Sequence, residues 1–272
     1  MPRFVRILLL ILCCSGFCCL PGVARAQSVD LAGIAHAAFR VQDVARSRAF
    51  YEQLGFQQSF DFSQDGRVTV SYVKVNDRQF IELYQRLDDS QPIGFTHICF
   101  ESNDIASLWK EYVRRGLDAG APRKAKAGNL LNGIHDPEGR LIEFTQYMPG
   151  SLHFEDRGKH LGERRVSRHL WIVAMPAKDP KVERTFYLDK LGFAALASGR
   201  DGEKLRLPGE SGEEVRFVSS GSVAAPQIIF EVGDLQRAAE ELRARGLQVQ
   251  EGKELISVVD PDGIIIGFAA RQ

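Results

Sequence analysis

After its first 20 residues this 272-residue chain contains a single cysteine, Cys99. One cysteine closes no internal disulfide, so the fold must rest on its apolar core. Cys99 itself sits in an alternating apolar segment and reads as a small buried filler. An excess of either charge is also missing: 35 Lys and Arg balance 35 Asp and Glu, and the basic residues are scattered. That excludes the concentrated cationic stripe of a nucleic-acid binder and argues against a basic membrane-surface protein. Beyond residue 26 no apolar run is long enough to span a bilayer, so no stable membrane anchor is expected there.

The one long apolar run lies at the start. Arg3 and Arg6 precede residues 7–20, followed by Pro21-Gly22 and Ala24-Arg25-Ala26. A basic start, a short apolar core and small residues at −3 and −1 describe a cleavable signal peptide over 1–26. The expectation is cleavage near Ala26/Gln27 and a periplasmic or secreted mature chain. Neither Cys18 nor Cys19 follows the small residues that a lipidation site requires.

What the chain does contain is a repeat. Residues 34–56, IAHAAFRVQDVARSRAFYEQLGF, read as an alternating strand, a turn at Gln42-Asp43 and a helix stopping at Gly55. Side chains alternate along a strand, so Ala37, Phe39 and Val41 face the helix while His36, Ala38 and Arg40 face away. Three further strands follow, near 56–63, 67–75 and 79–85. The same βαβββ order returns from residue 95, with a hairpin at Asp136-Pro-Glu-Gly139, and twice more from 168 and 226. The expected fold is α+β: four βαβββ modules paired into two tandem domains, each a curved half-barrel sheet around a cleft. The boundaries are 27–147, a Pro- and Gly-containing linker over 148–166, and 167–272. Within the linker, His153 and His160 stand in polar surroundings and are expected to be solvated.

Four strands of the first half each place one potential metal ligand opposite an apolar row. They are His36, Glu82 in FIELY, His97 in THICF and Glu143 in LIEF. A carboxylate on an inward-facing row is costly to bury alone, and a divalent cation compensates it. Two imidazoles and two carboxylates suit one ion of Zn, Ni, Co, Mn or Fe(II). Taken singly, each has a plainer reading: a histidine bonded at a strand end, or a glutamate on a solvated face. Phe80 and Tyr84 flank Glu82 and either shape a pocket or fill the core.

The repeated modules, the HxxxRVxDxxRSxxFYxxLGF pattern from His36 to Phe56 and the DPEGxxIEF segment resemble the vicinal oxygen chelate superfamily, which includes glyoxalases, bleomycin resistance proteins and dioxygenases. The first half is most similar to glyoxalase I. The resemblance implies that His36, Glu82, His97 and Glu143 hold the metal. It also implies that Glu143 is the catalytic base in a lyase or isomerase reaction through a metal-stabilised enediolate, and that Arg40 binds a substrate carboxylate. A salt bridge at the sheet edge is the other reading of Arg40. The implied partner is a small oxygenated molecule, and a homodimer is compatible with this reading.

The second half departs from the pattern. His169 is set at the place of His36, Gln227 at that of His97 and Gly267 at that of Glu143, and residues 215–218 offer no counterpart of Glu82. A degenerate, structural domain is expected. Two further functions stay open: an Fe(II) extradiol-type dioxygenase using His36, His97 and Glu143, and a non-catalytic small-ligand binder. Export also sits poorly with glutathione chemistry, which leaves the substrate open.

Overall fold

The computed structural model describes residues 31–197, 202–220 and 227–271. The expected signal peptide lies outside them. Among the described residues no helix is long and apolar enough to cross a membrane.

The first half runs β1 (Gly33–Val41), α1 (Val44–Gln53), β2 (Gln57–Gln64), β3 (Arg67–Lys74) and β4 (Phe80–Gln85). A second module follows: β5 (Gly94–Glu101), α2 (Ile105–Arg114), β6 (Arg123–Lys124), β7 (Leu130–His135) and β8 (Leu141–Gln146). A short helix, α3 (Leu152–Glu155), leads to the second half. That half runs β9 (Leu170–Ala177), α4 (Pro180–Phe186), β10 (Ala194–Ala195), β11 (Glu203–Arg206), β12 (Glu214–Ser219), β13 (Ile228–Val232), α5 (Leu235–Ala244), β14 (Gln250–Glu251), β15 (Ile256–Val259) and β16 (Ile265–Ala270). The four modules form two curved, open eight-stranded sheets, ordered β2-β3-β4-β1-β5-β8-β7-β6 and β10-β11-β12-β9-β13-β16-β15-β14. Modules therefore pair within each half, through antiparallel β1–β5 and β9–β13.

The helices start where the sequence offers an acceptor. Asp43, Asp104, Asp179 and Asp234 each accept hydrogen bonds from backbone amides of the first turn, worth about 1 kcal/mol apiece. The helix-facing rows, such as Phe39, Leu83, Phe100 and Phe144, join their second-half counterparts in one apolar core. The opposite faces carry smaller clusters of their own, Tyr72, Phe80 and Tyr147 in the first half and Ile172 and Ile229 in the second.

The two halves meet reciprocally. Phe56 packs on Phe230 and Phe100 on Phe193. The Asp136–Gly139 turn reaches α4, where Glu138 accepts from the backbone amide of Asp179 at 3.2 Å and Arg140 pairs with buried Glu183 at 3.0 Å. The matching turn of the second half reaches α1, where Asp262 accepts from the Ser47 hydroxyl at 2.9 Å.

The linker segment is packed onto the first half. Buried Lys74 holds the Asp156 carboxylate at 2.9 Å and its backbone carbonyl. Gly55 ends α1 with φ +86°, and a Cβ there would lie 2.2 Å from the Arg164 carbonyl oxygen, so only glycine admits the segment. The expectation that His153 is solvated is wrong. Its ring is 3 % exposed, stacked on Tyr147 and edge-on to Phe60, Tyr72 and Phe80. The error has a physical reason: polar neighbours along the chain said nothing about α3 turning one face into the sheet. His160 is partly exposed and pairs with Asp156.

Candidate metal centre

The four expected ligands lie on β1, β4, β5 and β8, four adjacent strands of the first sheet. Register aligns them: Ala38 pairs with Glu82 on one side and with His97 on the other, and Cys99 pairs with Glu143. The sheet's curvature then converges their tips. His36 Nε2 stands 3.0 Å from Glu82 Oε2, 3.8 Å from Glu143 Oε2 and 3.1 Å from His97 Nε2. His97 Nε2 stands 3.4 Å from Glu82 Oε2 and 3.3 Å from Glu143 Oε2. Donors about 2.1 Å from a tetrahedral or octahedral ion lie about 3.0–3.4 Å from one another; His36, Glu82 and His97 meet that spacing as a triad, and Glu143 stands beside it, 3.3 Å from His97 and 3.8 Å from His36. The donor set, two imidazoles and two carboxylates, fits a borderline divalent ion.

The two carboxylates are held differently. Glu82 is almost fully buried, with one oxygen between the imidazoles and the other accepting from the Tyr72 hydroxyl. Burial raises its carboxyl, but His36 and His97 outweigh this and hold it well below the ordinary carboxylate range. Glu143 has a side-chain exposure of 18 %, against 3 % for Glu82, and is the member of the set open to an entering molecule. Burial opposes charging of His97, yet Glu143 and Glu82 push it up to about 9. A divalent ion placed among these donors would take over the proton's role.

Cys99 also faces this cluster rather than the main core. Its sulfur groups with His36 and Glu143, and burial together with Glu143 and Glu82 pushes the thiol well above its ordinary range. It is therefore a protonated, weak donor. Tyr84 stands with its ring centroid 5.9 Å from that of His97. Arg40 sits at the rim, donating to the Pro92 carbonyl at 3.3 Å, and the alternative of a salt bridge there is not realised among the described residues. Tyr72 was missed in the sequence, although a signal existed: on the β3–β4 hairpin it is the direct cross-strand partner of Glu82.

In the second half the register corrects one expectation. Counting back from the helix caps Asp43 and Asp179, and across β1–β5 and β9–β13, Ile172 stands at the place of His36, not His169. His169 lies one residue before the strand, three positions ahead of that place. The place of Glu82 is taken by Arg216, which pairs with Ala174 as Glu82 pairs with Ala38. Gly267 occupies the place of Glu143, as expected. Isoleucine, arginine and glycine at three of four positions hold no metal. His169 instead ties the halves together. It contacts Glu231 at 2.7 Å and Glu213 at 3.0 Å, while Glu213 accepts from Gln79 and from the Ile34 amide of the first half. Burial opposes charging of His169, but the two carboxylates outweigh it and raise the ring.

Comparison with known proteins agrees with this layout. The family model of the glyoxalase/bleomycin resistance protein/dioxygenase superfamily matches residues 33–144. The chain superposes on a Mn(II)-bound glyoxalase from Novosphingobium aromaticivorans with a TM-score of 0.67 at 14 % identity, covering 89 % of this chain and 82 % of that one. It superposes equally on the 2,3-dioxygenase LapB from Pseudomonas sp. KL28, with a TM-score of 0.67 at 16 % identity over 90 % and 94 % of the two chains. An extradiol ring-cleaving dioxygenase from B. fuscum gives a TM-score of 0.67 at 16 % identity over 91 % and 74 %. At such identities the likeness is one of fold. The comparison with curated proteins found no match. The likeness to the glyoxalase/bleomycin resistance protein/dioxygenase superfamily is thus carried by residues 33–144, and the chain folds as two tandem domains of that type.

Proposed function

We propose that the first half is a four-donor metal centre with glyoxalase-like lyase or isomerase activity on a small oxygenated substrate. The observation that carries this reading is the placement of Glu82. Its carboxylate lies within 3.4 Å of both imidazoles and is oriented from behind by Tyr72, so it belongs to the donor set and not to the surrounding wall. His36, Glu82, His97 and Glu143 would hold a divalent ion of Ni, Co, Zn, Mn or Fe(II), which would supply Lewis-acid polarisation of a substrate carbonyl.

The chain's own residues divide the remaining work. Glu82, buried and fixed, anchors the site. Glu143, more open, takes the proton from the carbon beside the carbonyl and returns it to the neighbouring carbon. The apolar wall of Phe60, Phe80 and Tyr147 keeps water from the buried side. Arg40 at the rim is the candidate to meet a negative group on the substrate. The N-terminal segment supports export to the periplasm or beyond, which N-terminal sequencing of the mature protein in a periplasmic fraction would test.

A second reading, an Fe(II) dioxygenase, draws support from the ring-cleaving dioxygenases that share the two-domain layout. The experiment that separates the two is metal analysis of the mature chain beside Glu82→Gln and Glu143→Gln variants, with turnover measured on 2-oxoaldehyde hemithioacetals and oxygen uptake on catechols. The isomerase reading expects near-stoichiometric metal that falls in Glu82→Gln, and isomerase turnover lost by about 10²–10⁴-fold in Glu143→Gln. Iron retained in Glu82→Gln, with catechol-dependent oxygen uptake, favours the dioxygenase. Metal-free protein that cannot be reconstituted refutes both and leaves a ligand-binding module.

A further inference from the structure

We propose that the concave face of the second half is a separate binding site for a small organic acid. Arg216, Lys204 and Arg206 hold its carboxylate, and Trp171, Ile229 and Leu255 receive its apolar body. The cleft on this face has a volume of about 990 Å³, ample for a small molecule. It is the positional equivalent of the metal centre, but its chemistry is inverted. Where the first half places the Glu82 carboxylate, this half places the Arg216 guanidinium.

Cross-strand register adds an independent sign. Lys204 lies directly opposite Arg216 on the β11–β12 pair, and Arg206 lies opposite Glu214. Like charges facing each other across a sheet are destabilising; Glu214 offsets part of the Arg216 charge, and Lys204 is left without a carboxylate for an occupant to supply. Only Glu214 answers these cations within the cleft, and both its contacts, at 2.8 and 3.1 Å, go to Arg216. Of the other lining carboxylates, Glu251 is taken by Arg243, outside the cleft, and Glu254 makes no ion pair with the three cations among the described residues. Among the described residues, no side-chain hydrogen bond or ion pair engages Lys204 or Arg206. Planar guanidinium forks match carboxylate oxygens in pairs.

The apolar side of the cleft is equally specific. Ile172, Ile229 and Ala269 form a small buried cluster with Trp171 and Leu255 against it. The Trp171 ring is itself covered by the Arg271 guanidinium at 5.3 Å. A cationic strand pair beside an apolar floor selects an amphipathic anion over a metal, an inorganic ion or a neutral sugar. Because no member of the metal centre takes part, this inference stands apart from the function proposed above.

Trp171 makes the site observable. The chain contains two tryptophans, so in the full-length mature protein a Trp109→Phe background leaves Trp171 as the sole reporter. The probe is 4-phenylbutyrate, compared with 4-phenylbutan-1-ol and 4-phenylbutylamine. The expected result is a saturable change in Trp171 emission with the acid, about tenfold weaker or more with the alcohol, and absent with the amine. Arg216→Gln and Lys204→Gln should each weaken acid binding by about tenfold while the far-UV spectrum and melting curve are retained. Affinity should be the same in metal-loaded and chelator-treated protein. Lack of saturation with the acid, equal binding of acid and alcohol, or unchanged affinity in both variants would overturn the proposal. Loss of binding on chelation would assign the acid to the first half and overturn it as well.

Discussion

The two concave faces of this molecule share strand order, register and curvature, yet one gathers two histidines and two glutamates and the other gathers cations over an apolar floor. At matched positions His36 faces Ile172, Glu82 faces Arg216, His97 faces Gln227 and Glu143 faces Gly267. Backbone geometry is therefore not what sets the two faces apart. Register delivers four side chains to one point, and their chemistry decides what that point can hold. The same comparison explains the asymmetry of burial. In the first half, α3 turns back and inserts His153 into the aromatic wall behind the donors, while the second cleft stays open enough to admit a ligand.

The comparison can be broken outright. The fourfold variant Ile172→His, Arg216→Glu, Gln227→His and Gly267→Glu copies the first face onto the second, and metal content should rise from about one to about two ions per chain. Elemental analysis after exhaustive reconstitution reads this directly. No second ion would mean that curvature, and not only residue type, differs between the halves.

The next largest effect concerns the joint between the halves. Arg140 pairs with Asp136 at 2.6 Å and with buried Glu183 at 3.0 Å. Arg140→Met leaves both carboxylates uncompensated and should lower unfolding stability by about 3 kcal/mol. Chemical denaturation measures it, and an unchanged midpoint would show that the reciprocal turns are not what couples the two halves. Tyr72→Phe should act on one face only. Without its hydroxyl Glu82 loses its orientation, and metal affinity should fall by about 10–100-fold while phenylbutyrate binding stays constant. A competition titration with a chelator reads the first quantity and Trp171 emission the second.

The smallest effect is a pH dependence confined to the first half. Burial, with His36 adding to it, depresses His153 to about 3. In the unfolded chain a histidine titrates near about 6.5. The unfolded state then binds the extra proton between these values, so the contribution is complete above about 6.5 and is lost as pH falls toward 3. The lowered carboxyl of Glu82 acts in the same direction. His153→Phe should therefore make the first half's stability less steep between pH 6 and 4, by up to about 1.4 kcal/mol per pH unit. Denaturation midpoints across that range test it, and an unaltered slope would mean that the ring is solvated.

Much of this was legible in the residues because alternation and repetition are local. The row of Phe39, Ile81, Ile98 and Ile142 opposite His36, Glu82, His97 and Glu143 follows from period 2 alone, and the tips of the latter four side chains lie near one another in the structure. What failed did so wherever identity stood in for register. Residue type alone sets His169 at the place of His36, whereas the strand pairing sets Ile172 there. His153 was judged by its polar sequence neighbours, whereas α3 presents it to an aromatic wall.

The α+β class, the four modules and the paired sheets were already written in local pattern, as was the placing of His36, Glu82, His97 and Glu143 on one face of their strands. These rest on hydrophobic periodicity, helix caps and turn residues, all encoded within a few positions of one another. Tertiary structure alone decided that Tyr72 orients Glu82, that Glu143 is the accessible carboxylate and that Arg216 answers Glu82 across the pseudo-repeat. Each of those depends on strand pairing and sheet curvature, which bring together residues far apart in the chain, and no local pattern records that distance.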